Sequence, residues 1–154
     1  MLQLFQKSVK IPICIEPGFE DLPLPHYQTP GSAGMDLYAA IDTDVSLQPG
    51  KFKMVSSGIR IALPQGYEAQ IRPRSGLALK HGISIVNTPG TIDSDYRGIV
   101  GIILINFGED SYTIKRGERI AQMVIHKYDK IQFCQLTQLP ESKRKTGGFG
   151  STGK

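Results

Sequence analysis

Four stretches of the chain carry side chains that could do chemistry, and none of them reads as ordinary β-sheet sequence. The most suggestive covers residues 87–98, where Asn87, Gly90, Asp93, Asp95 and Tyr96 crowd between two strongly apolar runs. A hairpin-like turn needs glycine and aspartate, but it does not need a tyrosine and an asparagine beside a carboxylate. A carboxylate on a rigid turn can act as general base for a water; a plain turn is the other reading. Residues 72–78 place the Arg74 fork, the Ser75 hydroxyl and the Gly76 amide at the start of a helical turn. That set suits a phosphate, because a guanidinium donates in bidentate fashion and the free N–H groups of the turn point at the anion. A helix start with a surface arginine fits the same residues.

Asp36 follows Gly31 and Gly34 where a strand begins, and is either a working carboxylate or a structural one. The glycines of residues 147–153 lack the Walker order, and no helix follows them. Phe149 among them could stack on a base while neighbouring amides hold phosphates, or the segment is simply a solvated end. His26, His81 and His126 stand far apart, without carboxylate or cysteine partners at ligand spacing. Cys14 and Cys134 match no zinc or redox pattern; each sits among apolar or alternating residues and is expected as a small buried hydrophobe.

These groups need a frame to hold them. At 154 residues, 40% hydrophobic and 21% charged, the chain is suited to one domain with a real core rather than to disorder. Turns are expected at residues 48–51, 64–66, 106–109 and 115–118. Between the turns lie β-branched runs at residues 9–15, 58–63, 83–86, 99–105 and 119–125, and residues 59–61 and 67–71 alternate. The run at 99–105 is apolar throughout and is therefore expected to be buried on both faces. Residues 75–82 form the one plausible helix, a short one. Many short strands with turns between them predict an all-β sandwich or barrel.

The domain is expected to run over residues 1–140, with residues 141–154 as a flexible C-terminal arm. Of 18 basic and 14 acidic residues, Lys143, Arg144, Lys145 and Lys154 fall in residues 142–154 with no acid among them, so residues 1–141 are formally neutral. This argues against nucleic acid, which calls for basic residues spread over a face. There is no apolar run long enough for a transmembrane helix, so no membrane partner is expected. The first residues lack the features of a signal peptide, and a cytoplasmic protein is the expectation.

Taken together and in order, the stretches resemble the trimeric dUTPases, the deoxyuridine triphosphate nucleotidohydrolases, whose five motifs can all be read here. Ala33-Gly34-Met35-Asp36-Leu37 is similar to the first and Arg74-Ser75-Gly76-Leu77-Ala78 to the second. Gly90-Thr91-Ile92-Asp93-Ser94-Asp95-Tyr96-Arg97-Gly98 is similar to the third, and Arg119-Ile120-Ala121-Gln122-Met123 to the fourth. Arg144 with residues 148–153 is similar to the fifth, so the resemblance covers the chain from about Leu24 onward.

The resemblance implies a distorted jelly-roll β subunit and a homotrimer whose active sites are shared between chains. It also implies a reaction in which dUTP and water give dUMP and pyrophosphate with Mg²⁺, keeping uracil out of DNA and supplying dUMP for dTMP synthesis. Asp93 would be the general base. Arg74, Ser75 and Gly76 would bind the triphosphate, Gln122 the phosphate region, and Arg144 the γ-phosphate when the arm closes from another subunit. Asn87 and the backbone near Gly101 would pair with the uracil edge, Gly90, Thr91 and Ile92 would line the substrate site, and Tyr96 would pack under the sugar. Phe149 would stack on the base, with Gly150 and Ser151 alongside. Mg²⁺ would be held by the phosphates without a direct protein ligand, leaving Asp36 a role through the ion's waters or a structural one. A dCTP deaminase-like enzyme is the main alternative. The third motif holds no glutamate to drive deamination. A non-catalytic nucleotide-binding relative would be expected to lose Asp93 or the arm, and both are present.

Overall fold

The computed structural model describes residues 8–147. Its regular elements are β1 (Ile13–Ile15), β2 (Gly34–Tyr38), β3 (Val45–Leu47), β4 (Phe52–Ser56), β5 (Ile59–Ile61) and β6 (Tyr67–Arg72), then α1 (Ser75–His81). They continue with β7 (Ile83–Ile85), β8 (Gly90–Ile92), β9 (Gly101–Asn106), β10 (Tyr112–Ile114) and β11 (Arg119–Lys127). A four-stranded sheet runs in the order β2-β11-β6-β8 and a three-stranded one in the order β4-β9-β7. The pairs β1-β5 and β10-β3 complete the architecture, and every strand pairing is antiparallel.

Alternation decides which side chains meet in the middle. Leu37, Val55, Ile71, Ile83, Ile102, Leu104 and Ile120 are almost fully buried in one core. Asn106 is fully buried although polar. Its amide nitrogen donates to the carbonyls of Leu47 and Asp110 at 2.8 Å, and its oxygen accepts from Gly108 N at 2.8 Å, so burial leaves nothing unpaired. The α1 helix ends on Gly82 at φ 67°, and a Cβ there would run into the backbone of Gly108.

Three expectations are corrected. The run at residues 99–105 is buried on one face only: Ile102 and Leu104 point inward, whereas Ile103 and Ile105 face outward beside Met54 and Phe52. Phe52 is 63% and Met54 75% exposed, because the antiparallel three-stranded sheet has no layer of the described residues on its outer side. Cys14 and Cys134 are exposed rather than buried. Alternation in β1 turns Ile13 and Ile15 inward and Cys14 outward, and Cys134 lies beyond the last strand. Finally, residues 87–100 do not fold back on themselves as a hairpin turn. Their flanks, β7 and β9, pair in the three-stranded sheet, but β8 crosses to β6 in the four-stranded one.

Beyond Lys127 the described residues form no strand or helix. Tyr128 N still bonds Gly66 O at 3.0 Å, after which residues 129–146 are exposed.

Candidate active site

The long strand β11 lies between β2 and β6, so residues remote in sequence become neighbours. Gln122 is in register with Asp36 on one side and Arg72 on the other. The Asp36 carboxylate, only 12% exposed, uses both oxygens on arginines. Arg74 Nε donates to Oδ1 at 2.9 Å and Arg119 Nη1 to Oδ2 at 3.2 Å. Arg74 Nη1 also donates to the Arg119 carbonyl at 2.9 Å. The Nη2 edge of Arg74 carries no hydrogen bond among the described residues.

A bulge in β11 makes this possible. The pairing with β2 slips between Arg119 and Ala121, so that Arg119 sits opposite Tyr38 and Ala121 opposite Leu37. Strict alternation would put Arg119 on the face opposite to Gln122; the extra residue, buried Ile120, brings it to the same face. Gln122 Nε2 donates to Pro73 O at 2.9 Å, fixing the segment that leads into Arg74. Gly34 permits this, since a Cβ there would collide with Gln122 Oε1. At the start of α1 the first helical bond is Ala78 N to Arg74 O, at 3.0 Å. The N–H groups of Ser75, Gly76 and Leu77 have no partner among the described residues and carry the positive end of the turn.

A second region lies around the crossing segment. An open cleft of about 500 Å³ is lined by residues of β4, β8 and β9 and the loop between the last two, including Met54, Ser56, Asp93, Tyr96 and Ile103. A hollow of about 40 Å³ shares Thr91, Ile92, Gly101 and Ile103 with it, and reaches Asn87 and Gly90. Gly101 keeps the wall thin, because a Cβ there would lie 3.0 Å from Met54 Sδ. Asp93 is exposed, and its carboxylate makes no hydrogen bond or ion pair among the described residues. The loop around it is locally tied. Tyr96 N bonds Asp93 O at 3.2 Å, the Tyr96 hydroxyl donates to Ile99 O at 3.0 Å, and Arg97 Nη1 donates to Ser94 O at 2.7 Å. The Thr88–Pro89 peptide is cis.

Thus Asn87, Gly90, Thr91, Ile92, Asp93, Tyr96 and Gly101 come together, and so do Asp36, Arg74, Ser75, Gly76 and Gln122, but the cleft takes no residue from the arginine cluster. Arg144 joins neither. Its Nε donates to Gly147 O at 2.7 Å within a local turn. Phe149, Gly150 and Ser151 lie outside the described residues. Sequence reasoning assigned no role to Arg119, although it opens the fourth motif; its face depends on the bulge. Met54 and Ser56 were also missed, because their place follows from pairing with Ile103 and Gly101.

A family model described as dUTPase matches residues 20–153. The deoxyuridine 5'-triphosphate nucleotidohydrolase of Thermoanaerobacter sp. (strain X514) is 56% identical over 134 residues, covering 87% of this chain and 90% of that protein. The protein of the same name from Maricaulis maris (strain MCS10) is 54% identical over 147 residues, covering 93% and 97%. Among solved structures, the dUTPase of Staphylococcus bacteriophage 80alpha with dUpNHpp matches with a TM-score of 0.83 at 24% identity, over 96% of this chain and 100% of that one. A dUTPase mutant from phage phi11 of S. aureus, described for its coordination of a structural Mg(II) ion, matches with a TM-score of 0.76 at 21% identity, over 86% and 100%. The structural likeness agrees with the expected all-β, jelly-roll-like fold.

Proposed function

Because the chain belongs to the dUTPase family it is a hydrolase acting on dUTP, and we propose that Asp93 is the base that drives it. The supporting observation is that Asp93 lines the cleft with a carboxylate committed to no other described side chain. It orients a water and takes its proton as the oxygen attacks the α-phosphorus in line. The bond to the bridging oxygen breaks, and dUMP and pyrophosphate result.

Charge and shape divide the remaining work. Arg74 with the amides of Ser75 and Gly76 binds the triphosphate, and Gln122 supports that segment through Pro73 O. Asp36 orients the two arginines. The residues fit a Mg²⁺ ion held by substrate phosphates and water, since both oxygens of Asp36 are taken by guanidinium groups. When bound, that ion spreads the charge that develops on the leaving pyrophosphate. Asn87 and the backbone of residues 90–92 and 101 enclose uracil in the small hollow, where a C5 methyl finds no room. Tyr96, held by its bond to Ile99 O, packs under the sugar and disfavours a 2′-hydroxyl. The arm of residues 141–154 closes over the site, with Arg144 on the γ-phosphate, Phe149 on the base, and Gly150 and Ser151 beside them.

The active unit in this reading is a homotrimer in the cytoplasm, with no nucleic acid partner. Two observations support the assembly. Among the described residues Asp93 and the anion cluster share no cavity, and the cleft's apolar wall continues onto the exposed face of Phe52 and Met54. The test is an assay of the full chain with dUTP and Mg²⁺, following pyrophosphate, orthophosphate and ammonia, with dCTP, dTTP and UTP as controls. Pyrophosphate from dUTP alone is the expected result. Ammonia from dCTP would overturn the reading.

A further inference from the structure

The turn that precedes the bulge in β11 is tied to the far end of α1 by a tyrosine that no step above uses. Tyr112, half-buried on β10, donates its hydroxyl to Glu118 Oε1. Its ring lies 4.9 Å, centroid to centroid, from that of His81, the last residue of α1. Glu118 is held from several sides: Oε2 accepts from Lys115 N at 3.1 Å, its carbonyl accepts from Ala39 N at 2.8 Å, and its own N–H bonds Lys115 O at 3.1 Å. The next residue is Arg119, whose guanidinium reaches Asp36 and whose carbonyl receives Arg74. Arg74 in turn occupies the N-cap position at the near end of α1.

The helix and the bulged strand therefore meet twice, at Arg74–Arg119 and through His81–Tyr112–Glu118. Burial, and then the bond to Glu118, push the Tyr112 phenol above its ordinary value, so the hydroxyl remains a donor throughout the neutral range. We infer that Tyr112 and Glu118 are positioning residues for substrate anion binding. They brace the start of the bulge so that Arg119 stays on the Asp36 face and Arg74 keeps its backbone acceptor. The inference rests on the assignment of Arg74 to the triphosphate. Nothing in the five motifs includes Tyr112.

The brace touches only the anion half of the site, and this makes it separable from general loosening. The full-length Tyr112→Phe variant removes one hydroxyl and leaves a half-buried acceptor without its donor. Binding is measured by calorimetry in Mg²⁺ with inorganic pyrophosphate and, separately, with deoxyuridine. Pyrophosphate affinity is expected to fall about fivefold, with a matching rise in KM for dUTP, while deoxyuridine affinity stays the same. The Tyr112→Phe/Glu118→Ala double variant should lose no more than Glu118→Ala alone, since both changes break one contact. Unchanged pyrophosphate affinity, a parallel loss for deoxyuridine, or additive losses would each overturn the brace. If the unaltered chain binds deoxyuridine but not pyrophosphate, it is the assignment of Arg74 that fails, and the brace with it.

Discussion

Around Asp36 the groups are paired inside the chain and a net positive charge is left over: one carboxylate holds two guanidinium groups, and a carbonyl takes a further N–H from one of them. The Asp93 carboxylate has no partner among the described residues. The carboxylate stands exposed at the edge of a cleft walled by Met54, Ile99 and Ile103. The first arrangement is built before any ligand arrives, and this is what an anion site requires, because donors already aimed need not reorganise when charge appears. The second keeps its proposed base uncommitted, and a group that must take a proton from water cannot be tied up by a neighbouring arginine. In the proposed reading, fixed donors and a free base are thus placed on different parts of the molecule, and a trimer would bring them to one substrate.

The contrast can be broken at either end. Asp93→Asn should reduce kcat by about 10³-fold with dUTP binding retained in calorimetry, since no described contact is lost; substantial turnover would remove Asp93 from the role of base. Next in size is Ile103→Glu on the cleft wall, which desolvates a charge if another copy covers this face. If the proposed trimer forms through this face, sedimentation should show it dissociating, and activity should fall roughly a hundredfold. A monodisperse, fully active trimer would mean that the face is not covered. Asp36→Asn sharpens the other half. It leaves Arg74 and Arg119 sharing a neutral partner, and kcat/KM for dUTP should fall roughly thirtyfold, mostly through KM. A loss confined to kcat would instead point to Asp36 acting on the reacting groups.

Much of this was legible beforehand. Short β-branched runs between turn residues mark β5, β7 and β11, and α1 begins at Ser75 as its residues suggest. The motif residues were readable too, but their partners were not. Asp36 and Arg119 lie 83 positions apart, and strict alternation assigns Arg119 the wrong face, because a one-residue bulge leaves no mark in an apolar pattern. The run at 99–105 shows the opposite limit. Its composition signals two apolar faces, and among the described residues only the inner one is covered. Composition reports how apolar a face is, but not which molecule covers it.

The crossing of β8 has a consequence for motion. Its neighbours β7 and β9 belong to the three-stranded sheet, while β8 itself is hydrogen-bonded to β6 in the four-stranded one. The segment that ends at Asp93 is therefore a rivet through two layers, and it cannot fray without loosening both. In native-state hydrogen exchange, ladder amides of residues 90–92 should open only with the global unfolding unit, unlike those of the exposed stretch after Lys127.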